Sequence, residues 1–220
     1  MKVSELLRVS GMVLKSFDHA EYDRRMILLT RQTGKITVFA KGVRRQGSKY
    51  MACCDPFVYG DFRLFEGKSA YSLAEAEIQN YFEQLRLDME KMCYASFFAD
   101  LADHVTKENN DEAQILKLLY RSMQGLLSQG LENRFISLVF RLKLLMLNGV
   151  LGTDPEDEGE AGAVSRALDH IMKSDIKDIF SFRVNEQAAL RLEEIAKKRC
   201  TEFIGSNLKS LEVMKDMGYN

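Results

Sequence analysis

The sequence predicts an α+β fold: a small five-stranded barrel followed by an all-α helical domain. Three observations carry this. Apolar residues recur with period two over the first 80 residues and with period 3.6 from about residue 81 onward. The runs ILLTR and KITVFAKG flank a short loop containing Gly34, the pattern of a β-hairpin. No helix-periodic stretch separates the strand-like runs, which suits a closed or partly open barrel and not a parallel sheet.

The elements follow in order. GMVLKSF (11–17) reads as a first strand, and the hairpin supplies the second and third. PFVYGDFRLFEG gives a fourth, with Pro56 at its start, where a missing N–H is tolerated. Gly67 makes a turn, and SAYSLAEAEI supplies a fifth strand or a strand-to-helix transition. NYFEQLRLDMEKMCYASFFADLADHV then reads as one long helix. DEAQILKLLYRSMQGLLSQG places Ile115, Leu118, Leu119, Met123, Leu126 and Leu127 on one stripe that Gly130 ends. LENRFISLVFRLKLLMLNG is apolar nearly all round, as the central helix of a bundle is. GTDPEDEGEAG, with five acids in residues 154–160, reads as a solvated loop. Two further helices and a last short one complete the chain, with Ser206 or Asn207 as its N-cap. The domain boundary is expected at residue 80, giving domains 1–80 and 81–220.

Composition narrows the function classes. The 220 residues are 46% apolar and 29% charged, enough for a core and for solubility. No apolar run reaches the length of a membrane span, and Glu5 and Arg8 interrupt the N-terminal apolar stretch, so neither a membrane anchor nor a signal peptide is expected and a cytoplasmic location follows. Cys53, Cys54, Cys93 and Cys200 include no C-x-x-C pair and read as reduced thiols. His19, His104 and His170 are isolated from any metal-ligand spacing, and the acidic loop lacks the spacing of a calcium loop. EGKSA resembles the end of a phosphate-binding loop, but Phe62 stands where that loop needs glycine. No nucleophile motif occurs. No catalytic residue, metal, cofactor or small-molecule substrate is expected.

Charge is unevenly placed. Residues 1–80 carry 13 basic and 9 acidic residues, whereas 81–220 carry 18 and 23. Within 24–49 there are eight cations and no acid: Arg24, Arg25, Arg31, Lys35, Lys41, Arg44, Arg45 and Lys49. In period two, Ile36, Val38 and Ala40 share one face of the third strand, the barrel interior, and Lys35, Thr37, Phe39 and Lys41 share the other. On the second strand Met26, Leu28 and Thr30 alternate with Arg25, Ile27, Leu29 and Arg31. Cations at a sheet edge can simply block aggregation, but 26 residues without an acid favour a polyanion partner. Lys and Arg release counterions from phosphates, and five-stranded OB barrels bind oligonucleotides on the outer face of strands two and three. Phe39 either stacks on an unpaired base or is covered by the helical part. The expected mode is driven by shape and charge, without readout of base sequence.

The same stretch resembles the N-terminal domain of the RecO family of bacterial DNA repair proteins. The matching elements are the V-L strand start, E-x-D-R at Glu21 to Arg24, T-x-x-x-G-K at Thr30 to Lys35, and A-K-G-x-R-R-x-x-S-K at Ala40 to Lys49. Pro56–Phe57 and YSLAEAE fit as well, and FIGSNLKSLEVM resembles the family's closing helix. The resemblance implies an OB-fold followed by a helical domain. It implies a non-enzymatic mediator of DNA repair and recombination, associated with the nucleoid. Such a protein binds single- and double-stranded DNA, anneals complementary strands, and works with RecR to load RecA on DNA coated by single-stranded DNA-binding protein (SSB). The basic hairpin and loop match the family's DNA-binding surface.

Many family members also carry a four-cysteine zinc module after N-G-x-L-G. Here the segment 152–162 replaces it, without cysteine, and no zinc is expected. The family binds the acidic, phenylalanine-ended tail of SSB through its helical domain, for which Arg134, Arg141 and Lys143, on the apolar helix, are the candidates. A barrel that binds RNA, as a ribonucleoprotein assembly factor, is the alternative function.

Overall fold

The structure, a computed structural model, describes residues 6–152, 161–205 and 208–218. The chain forms two compact units: Met1–Leu87 with Ala99–Leu116, and Asp88–Phe98 with Lys117–Asn220. Residues 99–116, expected in the helical domain, therefore group with the barrel.

Five strands close the barrel in the order β1-β2-β3-β5-β4, the topology of an OB-fold. They are β1 (Leu6–His19), β2 (Asp23–Thr30), β3 (Gly34–Ala40), β4 (Tyr59–Glu66) and β5 (Tyr71–Asn80). β1 is longer than its apolar alternation suggests because it serves two neighbours. Leu6–Met12 pairs with β4 and Gly11–His19 with β2, with a register shift between Val13 and Lys15. β5 is a strand throughout. It pairs with β4 and, in parallel, with β3 through Val38↔Tyr71 and Phe39↔Ser72. Ile36, Val38 and Ala40 point inward with Val9, Val13, Met26, Leu28, Phe62 and Leu64, as period two requires.

The segment between β3 and β4 is fastened to the barrel. Val43, Cys53 and Cys54 enter the interior cluster. The Gly42 N–H donates to Asp23 Oδ1 (2.7 Å), and the Arg44 N–H to the Tyr22 carbonyl (2.9 Å). Gly42 and Gly47 hold left-handed turns at φ of 66° and 80°. All four cysteines are free.

Seven helices are described: α1 (Glu83–Arg86), α2 (Met89–Val105), α3 (Ala113–Leu127), α4 (Asn133–Leu147), α5 (Ala161–Lys173), α6 (Glu186–Ile204) and α7 (Lys209–Asp216). The single long helix expected after residue 80 is thus two, because Asp88 Oδ1 accepts the Lys91 N–H (3.2 Å) and starts α2 afresh. Every residue of α4 from Ile136 to Leu145 is buried, as its all-round apolarity predicts, and α5 and α6 pack against it. Asn185 caps α6 by accepting the Ala188 N–H (2.8 Å), and Gly205 at φ of 81° ends it. Most of the acidic loop and the Ser206/Asn207 cap lie outside the described residues. Among the described residues no helix is long and apolar enough to cross a membrane, and no group of three or more His, Cys, Asp or Glu side chains could hold a metal ion.

Candidate nucleic-acid interface

The outer wall of β1, β2 and β3 is built by register. Phe17, Arg25 and Phe39 lie side by side across the three strands, as do Lys15, Ile27 and Thr37. The Arg25 guanidinium sits 5.0 Å from the Phe17 ring centroid, and His19 packs on Phe39 at 4.8 Å between centroids. Phe17 is 44% exposed and Arg25 is exposed, while Phe39 is part-buried, so the row opens to solvent at Phe17 and Arg25. The wall of β4 and β5 differs. There Asp61, Glu75 and Glu77 stand beside Arg8 and Arg63, which pair with Asp61 and Glu75. The cations described on the β4–β5 wall are thus balanced by carboxylates, whereas Arg25 on the β1–β3 wall is not.

The basic loop adds to one end of that wall. Its bonds to Tyr22 and Asp23 hold it beside the β1–β2 turn, and Lys41 directly follows β3. The Arg45 guanidinium lies 5.4 Å from the Tyr22 ring centroid, and Lys49 Nζ lies 4.8 Å from that of Tyr50. Arg31 sits at the opposite end of β2, a strand length of about 20 Å away.

The eight cations fall into two groups. No carboxylate among the described residues lies within ion-pair distance of Arg25, Arg31, Lys41, Arg45 or Lys49, and all five are exposed. The other three are engaged within the protein. Arg24 bonds Asp55 Oδ1 (2.7 Å), and Asp18 lies 3.7 Å from it. Arg44 pairs with Asp18 (3.1 Å), and Lys35 pairs with Asp103 of α2 (2.9 Å). The partners of Arg24 and Arg44 lie just outside the acid-free stretch, and Asp103 is 68 residues from Lys35.

Two contributors to this wall escaped the sequence reading. Lys15 and Phe17, on β1, share the parity of the row, and the alternation K-S-F-D-H carries that signal. Lys15 is held by Asp100 (2.9 Å) and Asp103 (2.8 Å). Burial raises the Asp103 carboxyl, but hydrogen bonds from Lys15 and Lys35, with their charges, outweigh it and hold the group below the usual carboxylate range. Burial lowers Lys15, and its bonds to Asp103 and Asp100 more than restore it, leaving it above the ordinary lysine value. Outward-pointing Leu29 and Met12 are fully buried, so this part of the wall is closed to solvent.

In the helical unit, Arg141 and Lys143 do not reach a surface. Arg141 is 8% exposed and pairs with Glu193. Lys143 is 7% exposed and donates to the Ile171 (2.8 Å) and Met172 (2.9 Å) carbonyls, satisfying the end of α5. Their cationic heads serve the bundle, which corrects their assignment as partner contacts. Arg134 is exposed and borders a groove of about 820 Å³ with Arg183, Phe135, Phe182 and Leu190.

Comparison with known proteins agrees with this architecture. Residues 1–82 match the family described as Recombination protein O N terminal, and residues 86–151 that described as Recombination protein O C terminal. The chain is 33% identical to the DNA repair protein RecO of Alkaliphilus metalliredigens over 66% of this chain and 59% of that protein. It is 26% identical to the DNA repair protein RecO of Acetivibrio thermocellus over 96% of this chain and 97% of that protein. It is 31% identical to the DNA repair protein RecO of Clostridium novyi over 66% of this chain and 56% of that protein. The matched part thus spans less than two thirds of the Alkaliphilus and Clostridium relatives.

Proposed function

The chain belongs to the RecO family of DNA repair proteins, and from that premise we propose that it is a recombination mediator that binds single- and double-stranded DNA through the β1–β3 wall and the basic loop. One observation carries the reading: five of the eight cations of residues 24–49 are exposed with no carboxylate within ion-pair distance among the described residues, and one of them, Arg25, stands between exposed Phe17 and part-buried Phe39.

The mechanism is electrostatic. Arg25, Lys41, Arg45 and Lys49, with Arg31 at the far end of β2, neutralise phosphates and release their counterions. Lowering the charge on two complementary strands reduces their mutual repulsion and favours annealing. The ring faces of Phe17 and Phe39 accept stacked bases of any identity, which favours unpaired strands without selecting a sequence. No covalent bond is made or broken in this role, and it requires no cofactor.

The helical unit would serve protein partners. Arg134 and Arg183 stand beside Phe135, Phe182 and Leu190 in a groove that Glu132, Glu186 and Glu193 also line, and the two guanidiniums with the apolar surface are what the acidic, phenylalanine-ended tail of SSB would engage. Work with RecR in loading RecA at the nucleoid completes the proposed role.

Strand annealing by the Arg25→Glu/Arg45→Glu variant tests the reading. Annealing falls steeply if the wall is the DNA surface, and unchanged annealing overturns it. Competition between single-stranded DNA and RNA of equal length separates the DNA role from RNA binding.

A further inference from the structure

Lys15 and Lys35 differ from the free cations of the same wall. Both point outward from the barrel, Lys15 in the row next to Phe17–Arg25–Phe39. Both are occupied by carboxylates of α2 in the same unit. Lys15 Nζ lies 2.9 Å from Asp100 and 2.8 Å from Asp103. Lys35 Nζ lies 2.9 Å from Asp103 and also donates to the Asp103 carbonyl. The two aspartates stand one helical turn apart, so one face of α2 presents both. Asp103 borders a hollow of about 390 Å³ that it shares with Lys15, Phe17, Arg25 and Lys35, and with a further carboxylate, that of Glu108. None of the four side chains is sealed from water: Lys15 is 34% exposed, Lys35 26%, Asp103 23% and Asp100 19%.

We propose that Asp100 and Asp103 are built-in counter-ions that occupy, in the unbound protein, the places strand phosphates take in the bound one. The inference rests on the β1–β3 wall being the DNA surface. A carboxylate and a phosphate offer a lysine the same partner, an anionic oxygen in a charge-assisted hydrogen bond. Exchanging one for the other conserves each lysine's contacts. What exchange costs is the unpairing of half-buried aspartates beside an incoming polyanion. Lys15 and Lys35 are therefore latent phosphate contacts. The free cations capture a strand first, and the α2 carboxylates set how far it can spread along the wall. The arrangement holds affinity below what the wall's full charge would give, which suits a protein that must release the strands it brings together.

The test is binding of a labelled oligothymidylate across sodium chloride concentrations, by the full chain and by Asp100→Asn/Asp103→Asn. The account expects about fivefold tighter binding at fixed salt. It also expects a log–log salt slope steeper by about 1.4, the contribution of two further phosphate contacts on a single strand. Adding Lys15→Gln/Lys35→Gln to that variant removes both gains. Asp100→Asn alone leaves Asp103 in place to hold both lysines, so it gives a smaller gain in a protein whose packing is least disturbed. Unchanged or weaker binding by both aspartate variants, with wild-type circular dichroism, overturns the proposal. Arg25→Gln/Arg45→Gln separates the two failures. If that variant flattens the salt slope while the aspartate variants do nothing, the wall binds DNA and only the counter-ion role falls. If it leaves the slope unchanged, the DNA surface and the counter-ion role fall together.

Discussion

Arg25 stands directly between Phe17 and Phe39 in the register of the barrel, its guanidinium 5.0 Å from the Phe17 ring centroid. A cation over an aromatic face holds both groups in a fixed attitude toward solvent. The two rings then offer stacking surfaces beside a positive charge. Replacing Phe17 or Phe39 by Ala should weaken single-stranded DNA binding by about 1–3 kcal/mol each. Duplex binding, where bases are already stacked, should change less. Equal losses on both substrates, measured by fluorescence anisotropy, would make the rings general packing residues.

Arg24 and Arg45 are expected to separate stability from binding. Arg24 is committed to Asp55 and Asp18 with its side chain 19% exposed, so Arg24→Ala should cost about 1 kcal/mol of stability. Its effect on the salt dependence of DNA binding should be negligible. Arg45 has no such partner, so Arg45→Gln should leave the melting temperature unchanged and reduce the single-strand salt slope by about 0.7. Thermal melts and salt titrations of both variants check the pair.

The same logic divides the helical cations. Arg141→Ala leaves Glu193 without its partner and should destabilise the unit by about 3 kcal/mol. Lys143→Ala frees two carbonyls at the end of α5 and should cost about 2 kcal/mol. Arg134→Ala should leave urea unfolding unchanged and weaken capture of an acidic, phenylalanine-ended peptide. A stable Lys143→Ala variant that loses the peptide would reverse this assignment.

The Lys15–Asp103 pair should shape stability at both ends of the pH range. The Asp103 carboxyl is held below its ordinary value, so its contribution is present above the unfolded value of about 3.9 and is lost as pH falls through the lower folded one. Lys15 is held above its ordinary value, so its contribution is present below about 10.4 and is lost as pH rises through the higher folded one. Unfolding free energy from this pair should be flat between about pH 5 and pH 9. Asp103→Asn should shrink the acid-side decline in urea melts, and a variant with the full wild-type decline would contradict the assignment.

Much of this was legible in the chain. The inward set Ile36, Val38 and Ala40 and the outward set Lys35, Thr37 and Phe39 follow from period two, because a pleated strand alternates its faces whatever surrounds it. The burial of α4 follows from its all-round apolarity. Counter-charges are another matter. Asp100 and Asp103 come from a helix distant in sequence, and no local pattern assigns them to Lys15 and Lys35. Lys143 illustrates the same limit, since a lysine on an apolar helix can reach for solvent or for the carbonyls of a neighbouring helix, and only packing decides. The restart of α2 at Asp88 was readable in principle, because an aspartate three residues before Lys91 is a helix-start signal that the surrounding periodicity masked.

The central claim is that the exposed cations of one barrel wall bind DNA backbones. Single-stranded DNA affinity, measured across salt concentrations with Arg25, Arg31, Lys41, Arg45 and Lys49 all changed to Gln, tests it most directly. The account predicts weak binding by the variant and a log–log slope shallower by about 3.5, five contacts at about 0.7 each. A folded variant that retains the wild-type affinity and slope would contradict it.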